Sequence, residues 1–332
     1  MLPALRTKRA SEGGRRTGVL GGYILKILSH FAGGPMKKKL ITRRQFIQDA
    51  SLAALGSSLV LGVPGSLWAK SQKKSRVILM RDKDVLDSNG KPREEIILKM
   101  LDEALVALTG KKQPLDAWMT LIRPDDIVGI KTNVWQYIPT TTQVEQALKK
   151  RVMDAGVKES QIGIDDRGVL ENPIFLKATA LINARPMRTH HWAGVGSLIK
   201  NYIMFVPDPS NYHGDTCADL ATIWNKPIVK GKTRLNVLVM LTPQFHGVGP
   251  HSFNPKYVWK YNGLLVGFDP VAVDSTGLRI IEAKRREFFG EDRPLSPPAK
   301  HILLADTRHH LGTADPKNIE LIKLGYSDSI LI

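Results

Sequence analysis

A single cysteine, Cys217, stands in a chain of 332 residues, and that scarcity removes several kinds of chemistry at once. No internal disulfide can form, no all-cysteine zinc site can be built, and no iron–sulfur cluster can be held by cysteines of this chain alone. As a lone small thiol, Cys217 reads as a buried apolar side chain. The chain also lacks the tight His-Glu-x-x-His spacing of a helical metal site. It shows no internal repeat. Its basic residues do not interleave with aromatics in a stripe, so the net charge of +17 does not point to nucleic acid. Much of that charge is local: residues 1–69 hold eleven Lys and Arg against two Asp and Glu, leaving 37 against 29 from Lys70 onward. The remainder is either solvated basic surface or a field suited to an anionic substrate.

What is present begins with an address. Lys37-Lys38-Lys39 and Arg43-Arg44 precede Ala50 to Leu61, a run rich in Ala, Leu, Ser and Gly. That apolar run is roughly 14 residues, short of the ~20 a spanning helix needs, so it reads as a removable signal and not a permanent membrane anchor. Ser66-Leu67-Trp68-Ala69 offers small residues for cleavage near Ala69. The pattern resembles a twin-arginine export signal. It implies the twin-arginine machinery as a partner, a periplasmic or otherwise extracytoplasmic location, and export in the folded state with any cofactor or subunit already acquired. Residues 1–35 precede a second methionine, Met36, and read as an upstream leader. The expected organisation is a leader at 1–35, a signal at 36–69 and a mature domain at 70–332.

Along the mature chain, apolar runs alternate with amphipathic segments. Strands are expected at Arg76–Met80, Asp126–Lys131, Gln161–Asp165, Ala180–Asn183 and Leu235–Leu241. Helices are expected at Pro92–Leu108, Gln143–Ala155 with Gly156 as its stop, Gly196–Met204, and Pro270–Glu282 opened by Asp269-Pro270. The segment from Phe289 to Lys300, with three prolines, reads as a surface excursion. Alternating strands and helices predict an α/β fold, a mostly parallel sheet flanked by helices, in one large domain or two interlocked lobes. In such a sheet, ligands bind beyond the carboxyl ends of the strands. Those ends carry Lys131 and Asn133, Asp165 to Arg167, His190 and His191, and His246 to His251.

Several spaced motifs then converge. Val128-Gly129-Ile130-Lys131-Thr132-Asn133, Ala155-Gly156-Val157, Leu181-Ile182-Asn183-Ala184-Arg185-Pro186, Thr189-His190 with Gly194 and Leu198-Ile199-Lys200-Asn201, and Asp269-Pro270-Val271-Ala272-Val273-Asp274 together resemble the domain of unknown function 362 family. The resemblance spans roughly Ile127 to Gly325. Many relatives carry a ferredoxin-like cysteine cluster, which this chain lacks.

The densest chemistry lies in Thr189 to Asn201. Two histidines end a loop, Gly194 and Gly196 let backbone approach a ligand, and the expected helix would aim free N–H groups at a phosphate or carboxylate. The spacing His190-x-x-Ala193-Gly194-x5-Lys200 is also similar to a segment of nickel-pincer lactate racemases. That resemblance implies His190 as proton shuttle and Lys200 as cofactor attachment or anion ligand. Leu198-Ile199 stands where those enzymes carry a glycine pair. Lys131, Asn133 and Asn201 are further candidates for binding charge. Of Asp165 and Asp166, adjacent on an extended chain, at most one faces the site; Asp165 is the candidate acid or base, with Arg167 as a charge partner. His191, His213, His246 and His251 form a candidate set for Zn²⁺, Ni²⁺ or Fe²⁺. Asp274 either reaches the site or bonds backbone.

The expectation is an exported enzyme with isomerase, racemase-like or oxidoreductase-associated chemistry on a small anionic ligand, His190 moving a proton while Lys200 and Lys131 hold negative charge. Its cofactor would be a divalent metal or an organic group. The alternative is an accessory protein co-exported with a redox partner. The first requires His190, Lys200 and an acidic residue to converge on a deep pocket; the second predicts scattered histidines and an exposed apolar patch.

Overall fold

Residues 77–80 alternate sides without becoming polar: Val77 and Leu79 enter one core, Ile78 and Met80 another. A strand buried on both faces has this near-continuous apolar character. The computed structural model describes residues 74–247 and 253–332, which fall in one unit. The segment 36–69, expected to be an export signal, lies outside the described residues.

The strands are β1 (Ser75–Arg81), β2 (Val128–Lys131), β3 (Ile162–Asp165), β4 (Ala180–His190), β5 (Gly194–Gly196), β6 (Thr233–Gln244), β7 (Gly263–Gly267) and β8 (Ile319–Gly325). They pair in the order β3-β2-β4-β6-β7-β1-β8, with β5 added to β4. Pairing is parallel except where β7 meets β6 and β1, and where β5 meets β4. The helices are α1 (Glu94–Thr109), α2 (Pro114–Met119), α3 (Thr142–Asp154), α4 (Pro173–Lys177), α5 (Leu198–Asn201), α6 (Pro270–Phe289) and α7 (Lys300–Thr307). On one face, α1, α2 and α3 bury Ile97, Trp118 and Leu148 against Ile130, Ile182 and Val237. On the other, α5, α6 and α7 bury Leu198, Val273 and Ile302 with Leu79, Leu181 and Leu238. The expected α/β sheet flanked by helices is therefore present. Among the described residues no helix is long and apolar enough to cross a membrane.

Three elements differ from expectation for physical reasons. The short strand at Ala180–Asn183 runs on to His190, fully buried, through Pro186. Proline cannot donate to a ladder, and the pairing with β6 shifts between Pro186 and Arg188. The helix expected over Gly196–Met204 is instead β5, the single turn of α5 and a 3-10 turn at Tyr202–Phe205. The helix opened by Asp269 extends to Phe289, where Gly290 at φ 71° ends it. Asp269 accepts from the N–H groups of Val271 and Ala272, the cap that its position before Pro270 implied.

One row of polar residues crosses the second face of the sheet at a single register. Asp165 of β3 pairs with Lys131 of β2, which pairs with Asn183 of β4, which pairs with Asn236 of β6. Asn183 is thus a strand-interior residue, not a terminal cap. Asn201 of α5 donates to Lys131 O (3.2 Å) and Asn183 Oδ1 (2.8 Å). Asn183 donates to Leu198 O (3.1 Å) and Asn236 Oδ1 (3.2 Å), and Asn236 donates to Phe268 O (3.0 Å). Each buried amide in this chain finds a partner, and the chain pins α5 onto the sheet. Asn183→Ala strands several of these groups and is expected to cost about 1–3 kcal/mol for each one left unsatisfied, read as a lower urea midpoint.

Candidate functional site

Beyond the end of β2, Lys131 is completely buried and donates to Asp166 Oδ1 at 2.5 Å and to Thr132 O at 2.8 Å. Asp166 also accepts from the N–H of Val134. Burial lowers the Lys131 ammonium to about 8 against the pull of Asp166. Burial works to raise Asp166, but the charge of Lys131 and its bond win and hold that carboxyl below its ordinary range. The inward carboxylate is therefore Asp166, not Asp165. Asp165 accepts from Gly168 N and Asn172 Nδ2 and shapes the turn after β3. Arg167, the expected charge partner, is exposed.

The start of α5, expected to face an external anion, is already filled. Asp274, on α6 and wholly buried, accepts from Ser197 Oγ (2.6 Å), Leu198 N (2.9 Å) and Ile199 N (2.9 Å). Burial raises this carboxyl to about 6 even though those bonds and Arg185 oppose the rise. The two glycines serve the chain's own packing. Gly194 has φ +70°, and a Cβ there would meet Pro297 O and Ala299 N at 2.7 Å. The proline-rich loop after α6 is the expected surface excursion, mostly exposed, with its Pro297–Ala299 backbone packed against Gly194. A Cβ on Gly196 would stand 2.7 Å from Arg185 Nη2 and 2.9 Å from Arg188 Nη1. Both guanidinium groups therefore converge over the Gly196 backbone. Residues three apart on a regular strand point to opposite faces; the register shift at Pro186 lets these two meet.

Arg185 and Arg188 are each 4% exposed, and among the described residues neither makes a hydrogen bond to protein. Arg188 lies 4.2 Å over the Trp135 ring. Burial lowers Arg185 to about 10, eased by Asp166 and Asp274, and pushes Arg188 far down, aggravated by Arg185. Lys200 of α5 faces the same cluster, its one hydrogen bond among the described residues being to Cys217 Sγ at 3.7 Å. Burial brings Lys200 to about 8; Cys217 opposes the fall, and both arginines add to it. Cys217 is buried, as its sequence context implied, and burial raises its thiol against the effect of Lys200. It is held by three consecutive positive-φ residues, Asp215, Thr216 and Cys217, a conformation costly for side-chain-bearing residues.

His190 is buried and accepts at Nδ1 from the N–H of Trp192 (3.2 Å), which leaves its ring proton on Nε2. Burial, then Lys200, Arg185 and Arg188, drive its protonation far below the ordinary range, so the ring is neutral. It lines a cavity of about 280 Å³ with Thr189, Gly194, His246, Arg285, Arg293 and the loop Pro294 to Ser296. Thr189 Oγ1 has no partner there. His301 of α7 joins the same electrostatic cluster, lowered to about 3 by burial, Lys200 and Arg185.

Of the proposed metal set, His191 and His213 both lie against Trp192, with ring centroids 4.0 and 3.9 Å from it, and His191 stacks on His190 at 4.8 Å. His246 Nδ1 lies 3.0 Å from Arg285 Nη1, which has only hydrogens to offer, so that nitrogen accepts. His251 lies outside the described residues. Among the described residues no three His, Cys, Asp or Glu side chains gather as a metal-binding group. Asn133 sits in the turn after β2, its N–H bonded to Thr140 Oγ1 and its side-chain oxygen without a partner. Asn201 is a rung of the amide row. His190 feels the charge of Lys200, but the cavity that His190 lines has neither Lys200 nor an acidic residue in its wall; Asp166 and Asp274 act on Arg185 instead.

Residues 167–279 match the model of a protein family described as a domain of unknown function, DUF362. That segment is similar to the DUF362 family. It contains both arginines, His190, Lys200, Cys217 and Asp274, and it bears out the family resemblance over that span; Lys131, Arg285 and Arg293 lie outside it. No curated protein and no solved structure matches the chain. Arg185 and Arg188 were legible only as strand residues, because their meeting depends on an interrupted ladder. Removing one partner of a buried ion pair costs about 3–5 kcal/mol, so Asp166→Ala should destabilise the fold by that order, while Asp165→Ala should cost only about 1–2 kcal/mol. Chemical denaturation of the two variants separates the roles.

Proposed function

We propose that the chain is an enzyme for a small anionic substrate, whose negative group is seated between Arg185, Arg188 and Lys200. The observation that carries this is the pair of almost wholly buried guanidinium groups that converge over Gly196 with no protein acceptor. Buried charge without a partner is costly, and a carboxylate or phosphate is the natural acceptor for two guanidinium forks. Lys131, Arg185, Arg188 and Lys200 share the cluster with three carboxylates, Asp165, Asp166 and Asp274, leaving one positive charge in surplus. Asp274 is itself committed to α5.

The roles at the site follow from the protonation states. His190, neutral with its proton on Nε2, is a hydrogen-bond donor to a developing oxyanion. Lys200, at about 8, is the group poised to exchange a proton near neutral pH. This assigns to Lys200 the proton transfer that spacing alone had assigned to His190.

Sulfate is a suitable probe of the anion seat. Arg188→Met should weaken its binding about tenfold or more, measured by calorimetry. Affinity should also fall as pH rises through about 8, because Lys200, facing Cys217, Arg185, Arg188, His190, His213 and His301, then loses its charge. Lys200→Met should flatten most of that dependence, leaving only the part due to Lys131. Sulfate binding that is unchanged in both variants refutes the seat.

Part of the same proposal is that the Arg43-Arg44 segment exports the chain, so that the mature enzyme acts outside the cytoplasm. Replacing Arg43 and Arg44 with lysine should retain the full-length protein in the cytoplasm, read by fractionation of the producing cells.

A further inference from the structure

Resting on the anion seat just described, we infer that Lys200 is a covalent nucleophile that forms an imine with a 2-oxo acid, the carboxylate held by Arg185 and Arg188 and the carbonyl presented to the Lys200 amine. The geometry carries this. A buried lysine ordinarily answers a carboxylate. Lys200 is 3% exposed, and among the described residues its only hydrogen bond is the long one to the Cys217 thiol. The nearest candidate counter-ions are spent elsewhere, Asp274 on Ser197, Leu198 and Ile199, and Asp166 on Lys131 and Val134.

Lysine kept out of water beside other cations is the arrangement that leaves a free amine available for attack on a carbonyl. Here the neighbouring cations are the two arginines, whose open donors recognise the carboxylate adjacent to that carbonyl. An isolated aldehyde or ketone would gain nothing from them. The neutral His190 ring, with Nε2–H free to donate, lines the cavity of about 280 Å³.

The chemistry balances without an oxidant. Lys200 first releases its ammonium proton to solvent. The amine nitrogen then adds to the carbonyl carbon, and the carbinolamine loses water, whose oxygen comes from the carbonyl. A C=N bond replaces the C=O bond, and no redox change occurs.

The test uses the full mature chain with glyoxylate, acetaldehyde as the probe lacking a carboxylate, and sodium cyanoborohydride, which delivers hydride to the imine carbon. Intact mass and peptide mapping of the wild-type protein are expected to place the reduced glyoxylate adduct on Lys200, in preference to surface lysines. Glyoxylate should label Lys200 about tenfold or more faster than acetaldehyde does, and Arg188→Met should remove that preference. Lys200→Arg should abolish the adduct, with circular dichroism confirming its fold. No adduct on Lys200 in the wild-type chain, or equal labelling by both probes, overturns the inference. Sulfate binding by the same preparation separates the two readings: retained binding with no adduct refutes the imine alone, and loss of both refutes the seat as well.

Discussion

Burying positive charge beneath an apolar sheet is the constraint on which the rest of this molecule depends. Lys131, Arg185, Arg188 and Lys200 are all 4% exposed or less, in a fold whose sheet is covered on both faces. Each such charge loses its hydration, and only an acceptor or an opposite charge restores the balance. Lys131 has Asp166. Arg185 has only the more distant fields of Asp166 and Asp274, and Arg188 has the face of Trp135. That graded compensation accompanies the directions of titration: every lysine and arginine in the cluster falls, and His190 falls as well, first from burial and then from Lys200, Arg185 and Arg188.

Local structure is shaped to hold this arrangement. Pro186 interrupts the ladder between β4 and β6, and the interruption brings two arginines of one strand to one place. Gly196 is small because the guanidinium groups occupy the volume a side chain would need. The short turn of α5 is anchored twice, by Asp274 at its start and by Asn201 in the amide row at its end, which positions Lys200 between two fixed points. A four-residue helix has little stability of its own, so these tertiary bonds determine its geometry.

Most of the architecture was readable from periodicity. β1, α1, α3 and β3 fall close to their expected spans because each carries a local signal: apolar burial on both faces for β1, a short apolar run for β3, amphipathic spacing for α1 and α3; the Asp-Pro cap fixed the start of α6 but not its end. β7, a five-residue Gly-Leu-Leu-Val-Gly segment, carries too little pattern to announce itself, and β8 is amphipathic only in its pairing with β1. At the site, His190 and Lys200 were visible as chemistry-bearing residues at a suggestive spacing, and Asp165 was chosen over Asp166 by a parity argument that could not say which of the two faced inward. The Gly-rich segment was read as an anion cradle; the cradle exists, and a carboxylate of the same chain fills it.

The sequence by itself determined the alternation of strands and helices, the burial of a lone cysteine and the absence of any cysteine-held cluster, since these follow from composition and local pattern. Tertiary structure alone decided that Asp274, 76 residues from Leu198, would cap α5, that Asp166 would hold Lys131 across 35 residues, and that Arg185 and Arg188 would meet. The reason is physical: hydrogen-bond partners and charge compensation at long sequence separation depend on strand register and on a ladder interruption, and neither leaves a periodic trace in the chain.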